Sequence, residues 1–176
     1  MTDNISILDA TCGGRSIWTE ENKHRDDVLY TDRRQEESGF HGQEGRTYGV
    51  DPDVLADVRR LPFSAGVFDL AVYDPPYVTR DDGMNQLSGV LIKKYGALRA
   101  ETWQRDIHDS VVELFRVLSD SGTLMFKFAD VETKWTDVLA ALPIEPLFGT
   151  TTKKMKKHET RWFTLHASQY NGGDRE

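Results

Sequence analysis

The sequence predicts an α/β fold: an open, mostly parallel sheet of seven strands, with helices on both faces and an antiparallel final hairpin. Short apolar segments alternate with polar or amphipathic ones along the chain. The segment Phe68–Tyr73 is apolar on both faces apart from Asp69, which is typical of a central parallel strand. The last two strand segments, 145–150 and 161–167, follow each other without a helix between them, as in a hairpin.

Length and composition limit the kinds of protein that fit. The 176 residues predict one domain over 1–167 and a frayed tail over 168–176. The net charge of −7 means that a nucleic acid would have to be bound by a local basic patch. The single cysteine, Cys12, excludes an intramolecular disulfide. Because no apolar run is long enough to span a bilayer and the N-terminus is not a signal peptide, we expect a cytoplasmic protein without a membrane partner.

The first strand, predicted over 5–10, leads into a glycine turn. The turn reads Asp-Ala-Thr-Cys-Gly-Gly-Arg over 9–15. A glycine pair lets the backbone pass close to a ligand, and a following helix would aim free N–H groups at the same place. A glycine pair alone is more often a simple turn. The polar segment 16–27 predicts only a short helix, since Ile17 and Trp18 are its apolar anchors.

The second strand, over 28–30, ends near a carboxylate. Asp32 lies about 20 positions past the glycine turn, where a dinucleotide-type fold places its ribose-hydroxyl acceptor. The alternatives are a solvated turn residue at Asp32, or Asp51 as the acceptor. The segment 33–53 has no clear period and predicts a long loop. A third short strand is predicted over 54–57.

The strand Phe68–Tyr73 stops at the tetrapeptide Asp74-Pro75-Pro76-Tyr77. Two prolines cannot continue a central strand, so the tetrapeptide lies at the carboxyl edge of the sheet, where open α/β folds bind ligands. The Asp74 carboxylate and the Pro75 carbonyl are acceptors suited to an exocyclic amine, and they would favour a more nucleophilic nitrogen. The Tyr77 ring could stack on a flat base. The alternative is a Pro–Pro turn with no chemical role.

The remaining elements complete the alternation. Met84, Leu87, Leu91 and Tyr95 are spaced for a small amphipathic helix, which we expect to act as a lid above the tetrapeptide. The apolar spacing then predicts a helix over 103–118, a strand over 123–128, a helix over 135–142 and the two final strands.

Three segments together resemble a known family. Asp-Pro-Pro-Tyr after an apolar strand resembles the catalytic motif of amino-methyltransferases that use S-adenosylmethionine. The glycine turn is similar to their first motif, Asp-x-x-x-Gly-x-Gly, with Asp9 and Gly13 in register but Arg15 where the last glycine is usual. The segment 57–63 resembles the one whose acidic residue accepts from the adenine amino group of the cofactor. The resemblance covers nearly the whole chain and implies the Rossmann-like class I methyltransferase fold.

The resemblance also implies an activity. It implies methyl transfer to an exocyclic amine of a nucleobase, with S-adenosylmethionine as cofactor, S-adenosylhomocysteine as product and no metal. Adenine N6 in DNA comes first because an Asp heads the tetrapeptide. A base of ribosomal or other RNA is the alternative. The implied catalytic residues are Asp74, Pro75, Pro76 and Tyr77, and the implied cofactor-binding residues are Asp9, Ala10, Thr11, Cys12, Gly13, Asp32, Asp57, Val58 and Asp74.

Recognition of a nucleic acid would depend on few features. The chain has no inserted block to serve as a target-recognition domain, so we expect the lid, the basic hairpin, the long loop or another protein to supply duplex specificity. A different class of function, a non-catalytic binding module that retains the fold, is suggested by Arg15. The candidate nucleic-acid contacts, each alternatively an ordinary solvated lysine, are Lys93, Lys94, Lys153, Lys154, Lys156 and Lys157.

Overall fold

The computed structural model describes residues 6–42, 45, 47–85, 89–149 and 159–170. Its strands are β1 Ile7–Asp9, β2 Val28–Asp32, β3 Val54–Leu55, β4 Phe68–Tyr73, β5 Thr79–Arg80, β6 Leu98–Arg99, β7 Leu118–Ala129, β8 Phe148–Gly149 and β9 Thr160–His166. Its α-helices are α1 Val90–Tyr95, α2 Trp103–Val117 and α3 Trp135–Ala140, and 3-10 turns cover Glu20–Asn22, Gly83–Asn85 and Ala167–Gln169.

Seven strands form the main sheet in the order β3-β2-β1-β4-β7-β9-β8. The pairs from β3 to β7 are parallel, whereas β9 is antiparallel to both β7 and β8. This confirms the predicted mostly parallel sheet with an antiparallel final hairpin. The chain progresses in opposite directions on the two sides of the β1–β4 pair, so the crevice at that switch point lies between the turns that follow these two strands.

One face of the sheet carries α2 and α3. Leu124, Phe126 and Phe128 alternate along β7 and are fully buried against α2. In α3, Trp135 stacks on Phe163 of β9, with ring centroids 6.2 Å apart. Both helices therefore cover the same face.

The other face is covered differently near β1 and β2. There the ring of Trp18 packs edge-on against Tyr30 at 5.6 Å. The only helical structure in the segment 16–27 is the turn Glu20–Asn22. Helices therefore cover this face of the sheet less completely than predicted, because the segment 16–27 has too few apolar residues to form an amphipathic helix.

The region after the tetrapeptide differs from prediction. A 3-10 turn and the six-residue α1 stand where one amphipathic helix was predicted, and Leu87 lies outside the described residues. Gly89 has φ +84, outside the helical region, and α1 begins at the residue after it. The two-stranded parallel sheet of β5 and β6, which was not predicted, flanks these turns.

The residues that follow β9 pack against the core. Ala167 is fully buried, and Tyr170 stacks on Phe115 of α2 at 5.1 Å with an interplanar angle of 13°. This aromatic stack holds Tyr170 against the core, whereas residues 171–176 of the predicted tail over 168–176 lie outside the described residues. Within the described ranges, no helix is long and apolar enough to cross a membrane.

Candidate active site

A cavity of about 260 Å³ opens at the carboxyl edge of the sheet, at the predicted switch point. It extends from the glycine turn after β1 to the tetrapeptide after β4. Its lining includes Ala10, Thr11, Cys12, Gly13, Gly14, Asp32, Arg34, Tyr48, Asp57, Val58, Arg59, Asp74, Pro75, Pro76, Tyr77, Lys94 and Tyr95. The structure therefore brings together the predicted catalytic and cofactor-binding residues of four separate segments, over 10–13, at 32, over 57–58 and over 74–77.

The glycine turn is held by two hydrogen bonds. The Gly13 N–H donates to Asp32 Oδ2 at 3.0 Å, and the Gly14 N–H donates to Tyr48 Oη at 3.0 Å. A Cβ added at Gly14 would lie 2.3 Å from Cε2 of Tyr48. The close approach of the Tyr48 ring therefore requires a glycine at position 14.

Arg15 does not obstruct the cavity. It takes the left-handed conformation, with φ +53, where the family motif has a glycine. Its guanidinium donates to the backbone carbonyls of Lys23 at 2.8 Å and Asp51 at 3.0 Å, and it stacks 3.7 Å above the ring of Tyr30. Because this side chain is absent from the cavity lining, the departure from the motif leaves the ligand space open.

Asp9 lies beneath the cavity rather than in its lining. It is fully buried, and its carboxylate accepts from Trp18 Nε1 at 2.6 Å and from the Thr11 N–H at 3.3 Å. Burial raises the pKa of Asp9 to about 7, although these two donors oppose the shift. The structure thus gives Asp9 contacts that shape the turn, and its predicted role in cofactor binding would be exerted through the turn.

The two candidate ribose acceptors differ in position. Asp32 lines the cavity, accepts from the Arg34 N–H at 3.0 Å and has the Arg34 Nε 3.8 Å from its Oδ1. Asp51 is exposed and absent from the lining, and its carboxylate accepts from Gln35 Nε2 at 3.2 Å. The geometry favours Asp32.

Asp57 and Val58 line the opposite wall. The two carboxylate oxygens of Asp57 accept from Arg59, at 2.9 Å from Nε and 2.6 Å from Nη2. The Arg59 side chain also reaches Asp106 Oδ1 at 2.8 Å. The hydrogen bonds from Arg59 hold the pKa of Asp57 at about 2, so this wall presents an ionised acceptor.

The tetrapeptide is bound to the glycine turn and to β7. The Asp74 N–H donates to Thr11 Oγ1 at 2.9 Å, which joins the two motifs directly. Oδ2 of Asp74 lies 2.5 Å from Lys127 Nζ. Burial raises the pKa of Asp74, and the charge of Lys127 opposes that shift. Tyr77 is half-buried with its ring 6.0 Å from Tyr95, and burial raises its pKa to about 12.

The long loop after β2 meets α1 over the cavity. Arg34 donates to the backbone carbonyls of Lys93 at 2.8 Å and Lys94 at 3.2 Å, and Tyr48 Oη donates to the same Lys94 carbonyl at 3.2 Å. The Lys94 ammonium lies 4.5 Å from the Tyr48 ring centroid and 5.3 Å from that of Tyr95. We call this contact of Arg34 and Tyr48 with Lys93 and Lys94 the roof.

The lysines predicted to contact a nucleic acid differ in their surroundings. Lys93 is exposed at the roof, whereas Lys94 lies over aromatic rings. The four lysines of the second cluster, Lys153, Lys154, Lys156 and Lys157, lie outside the described residues.

Sequence reasoning missed Lys127, Tyr48, Arg34 and Trp18. A signal existed for Lys127, because it is the one charge in the apolar run Leu-Met-Phe-Lys-Phe-Ala over 124–129. A buried ammonium needs a partner, and a carboxylate at the end of a neighbouring strand is the natural one. Tyr48 and Arg34 gave no signal within their polar loop.

Solved structures resemble this chain at the level of the fold. The PH0226 protein from Pyrococcus horikoshii OT3 has a TM-score of 0.54 and 13% identity, over 94% of this chain and 83% of that one. Together with the strand order, this defines the fold. It is the Rossmann-like class I methyltransferase fold. No protein-family model matches the sequence, and no curated protein matches it.

Two further structures have a TM-score of 0.47, a level that adds nothing to the assignment. The cyclase SpnF is 16% identical over 84% of this chain and 53% of that one. A 1,6-didemethyltoxoflavin-N1-methyltransferase from Burkholderia thailandensis, with bound S-adenosylhomocysteine, is 13% identical over 93% of this chain and 71% of that one. At such identities the likeness concerns the fold, and function has to be argued from the site.

Proposed function

We propose that the protein transfers a methyl group from S-adenosylmethionine to the exocyclic amine of a nucleobase. The target that we propose is adenine N6 in DNA. One observation carries the proposal: the same cavity is lined by the glycine turn, by Asp32 and Asp57, and by the Asp-Pro-Pro-Tyr tetrapeptide. No group of three His, Cys, Asp or Glu residues that could hold a metal occurs in the described part of the chain.

The lining fits the cofactor chemically. The Asp32 carboxylate is acceptor-only and suits ribose hydroxyls, and Asp57 beside Val58 suits the amino group of an adenine. The turn over 10–14 presents backbone close to the ligand, since Gly13 and Gly14 have no side chain. Thr11 and Asp74, which also line the cavity, would then hold the methionyl end of the cofactor.

The tetrapeptide residues would then act on the base. The Asp74 carboxylate and the Pro75 carbonyl accept the two N–H groups of the amine and draw its lone pair out of conjugation with the ring. The bound cofactor supplies an electrophilic methyl group on a sulfonium. Tyr77 stacks on the base, which must leave its helix stack at a cost of a few kcal/mol. The amine nitrogen would attack the methyl carbon directly as the carbon–sulfur bond breaks, S-adenosylhomocysteine would leave, and the extra proton on the nitrogen would pass to Asp74 or to water.

The substrate class is the finer part of the proposal. The Asp at the head of the tetrapeptide supports adenine N6, and Lys93 with the four lysines 153, 154, 156 and 157 would contact phosphates. The acidic net charge of −7 implies a short contact or a partner protein that supplies target recognition. An RNA base is the second candidate, because the described chain contains no element dedicated to reading a duplex.

The test begins with binding and then removes the acceptor. Calorimetric titration should show saturable binding of S-adenosylmethionine and S-adenosylhomocysteine. Asp74→Asn should reduce methyl transfer by at least about 100-fold, while the affinity for S-adenosylhomocysteine stays within a few-fold of the wild-type value. Asp69→Asn, at an exposed position on the same strand β4, is the control and should leave both quantities unchanged.

The substrate screen uses labelled cofactor with duplex DNA, single-stranded DNA and total RNA. Label in N6-methyladenine of DNA supports the proposal as stated, and label in RNA alone replaces it by the second candidate. Absence of cofactor binding would overturn the enzyme assignment and support a non-catalytic module. Equal activity of the Asp74→Asn variant would overturn the role of the tetrapeptide.

A further inference from the structure

Lys127 is a charged residue inside an apolar strand. Its neighbours Phe126 and Phe128 point to the helix-covered face and are fully buried. The Lys127 side chain projects from the opposite face, is 19% exposed and places Nζ 2.5 Å from Asp74 Oδ2. Asp74 is also 19% exposed, so this ion pair is much less solvated than a surface pair.

The pair is placed by the sheet itself. Tyr73, the last residue of β4, pairs with Phe126 of β7, so Asp74 and Lys127 are the next positions along two adjacent parallel strands. Across the other edge of β7, Lys127 lies directly opposite Trp162 of β9, whose ring centroid is 6.0 Å from Nζ. This register fixes the stem of Lys127 beside Asp74.

The other groups that face Asp74 cannot replace this contact. Among the described residues they are Asp9, at the end of β1, and Tyr77, in the same turn. Asp9 is acidic and repels a negative Asp74, and Tyr77 is neutral because burial raises its pKa to about 12. Lys127 is therefore the cation that counters the burial of Asp74.

The contact with Lys127 engages only one of the two carboxylate oxygens of Asp74 and leaves Oδ1 to accept a hydrogen bond from a ligand. Oδ2 is engaged by Lys127, and the Asp74 backbone N–H is fixed on Thr11 Oγ1. With backbone and one oxygen both held, the side chain has little freedom to rotate, and Oδ1 has a defined direction. A carboxylate that must accept an amine N–H benefits from such preorganisation.

We propose that Lys127 is a positioning residue for the methyl transfer: it anchors Oδ2 of Asp74, so that the carboxylate stays ionised and presents Oδ1 to the target amine. This inference rests on the proposed function. Lys127 need not touch the cofactor or the base, so it acts through Asp74. It differs in this from Lys93, for which we propose a phosphate contact.

The first experiment needs no activity. Aspartate carboxyl carbons are labelled with carbon-13 in the whole protein, and the Asp74 signal is assigned by its loss in Asp74→Asn. In Lys127→Met the titration midpoint of this signal should move to higher pH, because burial then acts without the opposing charge. Lys127→Arg should keep it near the wild-type position, and Lys134→Met, at an exposed lysine, should not move it.

The second experiment measures the pH profile of methyl transfer. Lys127→Met should lower kcat at neutral pH by roughly 10- to 100-fold, with partial recovery as the pH rises and Asp74 ionises. Lys127→Arg should restore most of kcat. The affinity for S-adenosylhomocysteine should change less than about threefold, which is a split that general unfolding would not produce.

The outcomes separate this inference from the proposed function. An Asp74 titration that is the same in wild type and Lys127→Met would overturn the role of Lys127, whether or not the enzyme is active. If the titration shifts but no nucleic acid is methylated and no cofactor binds, the proposed function fails while the Lys127–Asp74 coupling stands. A folded Lys127→Met variant with a wild-type pH profile of kcat would also overturn the inference.

Discussion

Two carboxylates near the cavity show how the same residue type takes different roles in different surroundings. Asp9 is fully buried and Asp74 is largely buried, with its side chain 19% exposed, and burial raises the pKa of each. Asp9 is satisfied by neutral donors, Trp18 and Thr11, which support the turn from below. Asp74 is countered by a full charge on Lys127. The first is therefore suited to a structural role and the second to accepting a substrate proton or N–H.

Asp9 makes stability depend on pH in a window that can be tested. Burial raises its pKa from an ordinary 3.8 to about 7, so the folded protein holds this proton more tightly than the unfolded chain. The resulting contribution is present in full below about pH 4 and is lost as the pH rises to about 7. The shift corresponds to about 4 kcal/mol across the window.

The measurement is urea denaturation between pH 4.5 and 8. Wild type should lose free energy of unfolding relative to Asp9→Asn as the pH rises, because the variant has no carboxyl to ionise. Groups that titrate in both proteins cancel in the difference. Asp69→Asn, which changes an exposed carboxylate on β4, should stay parallel to wild type. Parallel curves for Asp9→Asn as well would contradict the prediction.

Among the elements, those with local signals could be predicted from sequence. The apolar run of β4 and the prolines after it define the edge at which the tetrapeptide lies. The roof had no such signal, because Tyr48 contacts Gly14 and Lys94 at sequence separations of 34 and 46 residues. Lys127 could have been found by asking which carboxylate balances a lone lysine in an apolar strand. Arg15 departs from the glycine of the motif, and the sequence alone does not reveal the left-handed backbone and the carbonyl contacts that keep its side chain out of the cavity.

The glycine turn and the roof should be energetically coupled. Gly14→Ala places a methyl carbon 2.3 Å from the Tyr48 ring, so the ring must move and its hydrogen bonds to Gly14 and Lys94 are lost. We expect a loss of about 1–3 kcal/mol in the free energy of unfolding, as for other overpacked sites.

A double-mutant cycle tests this coupling by urea denaturation. Tyr48→Ala removes the ring, so adding Gly14→Ala to that variant should cost less than about 0.5 kcal/mol. If Gly14→Ala costs the same with and without the Tyr48 ring, the clash is not its cause and the close approach of Tyr48 is not what requires glycine.

At the scale of the whole molecule, the cavity depends on contacts between distant parts of the chain. Its walls come from the carboxyl ends of β1, β2 and β4, from the segment after β3 and from α1. The roof joins the first third of the chain to its middle. A ligand that bridges these parts binds the folded state and has no comparable site on the unfolded chain. Cofactor binding should therefore be visible as global stabilisation.

S-adenosylhomocysteine at 100 times its Kd should raise the free energy of unfolding by about 2.7 kcal/mol. For a domain of this size that corresponds to a rise in Tm of about 5–11 °C, measured by thermal unfolding with and without ligand. At the same fixed ligand concentration, Asp32→Asn should reduce the rise, because an amide replaces the carboxylate that lines the cavity, whereas Asp51→Asn should preserve it. Taking each variant's ligand-free Tm as its own baseline removes any direct effect of the substitution on folding. A reduced rise in Asp51→Asn with a normal one in Asp32→Asn would assign the ribose to Asp51 and contradict the proposed role of Asp32 in cofactor binding.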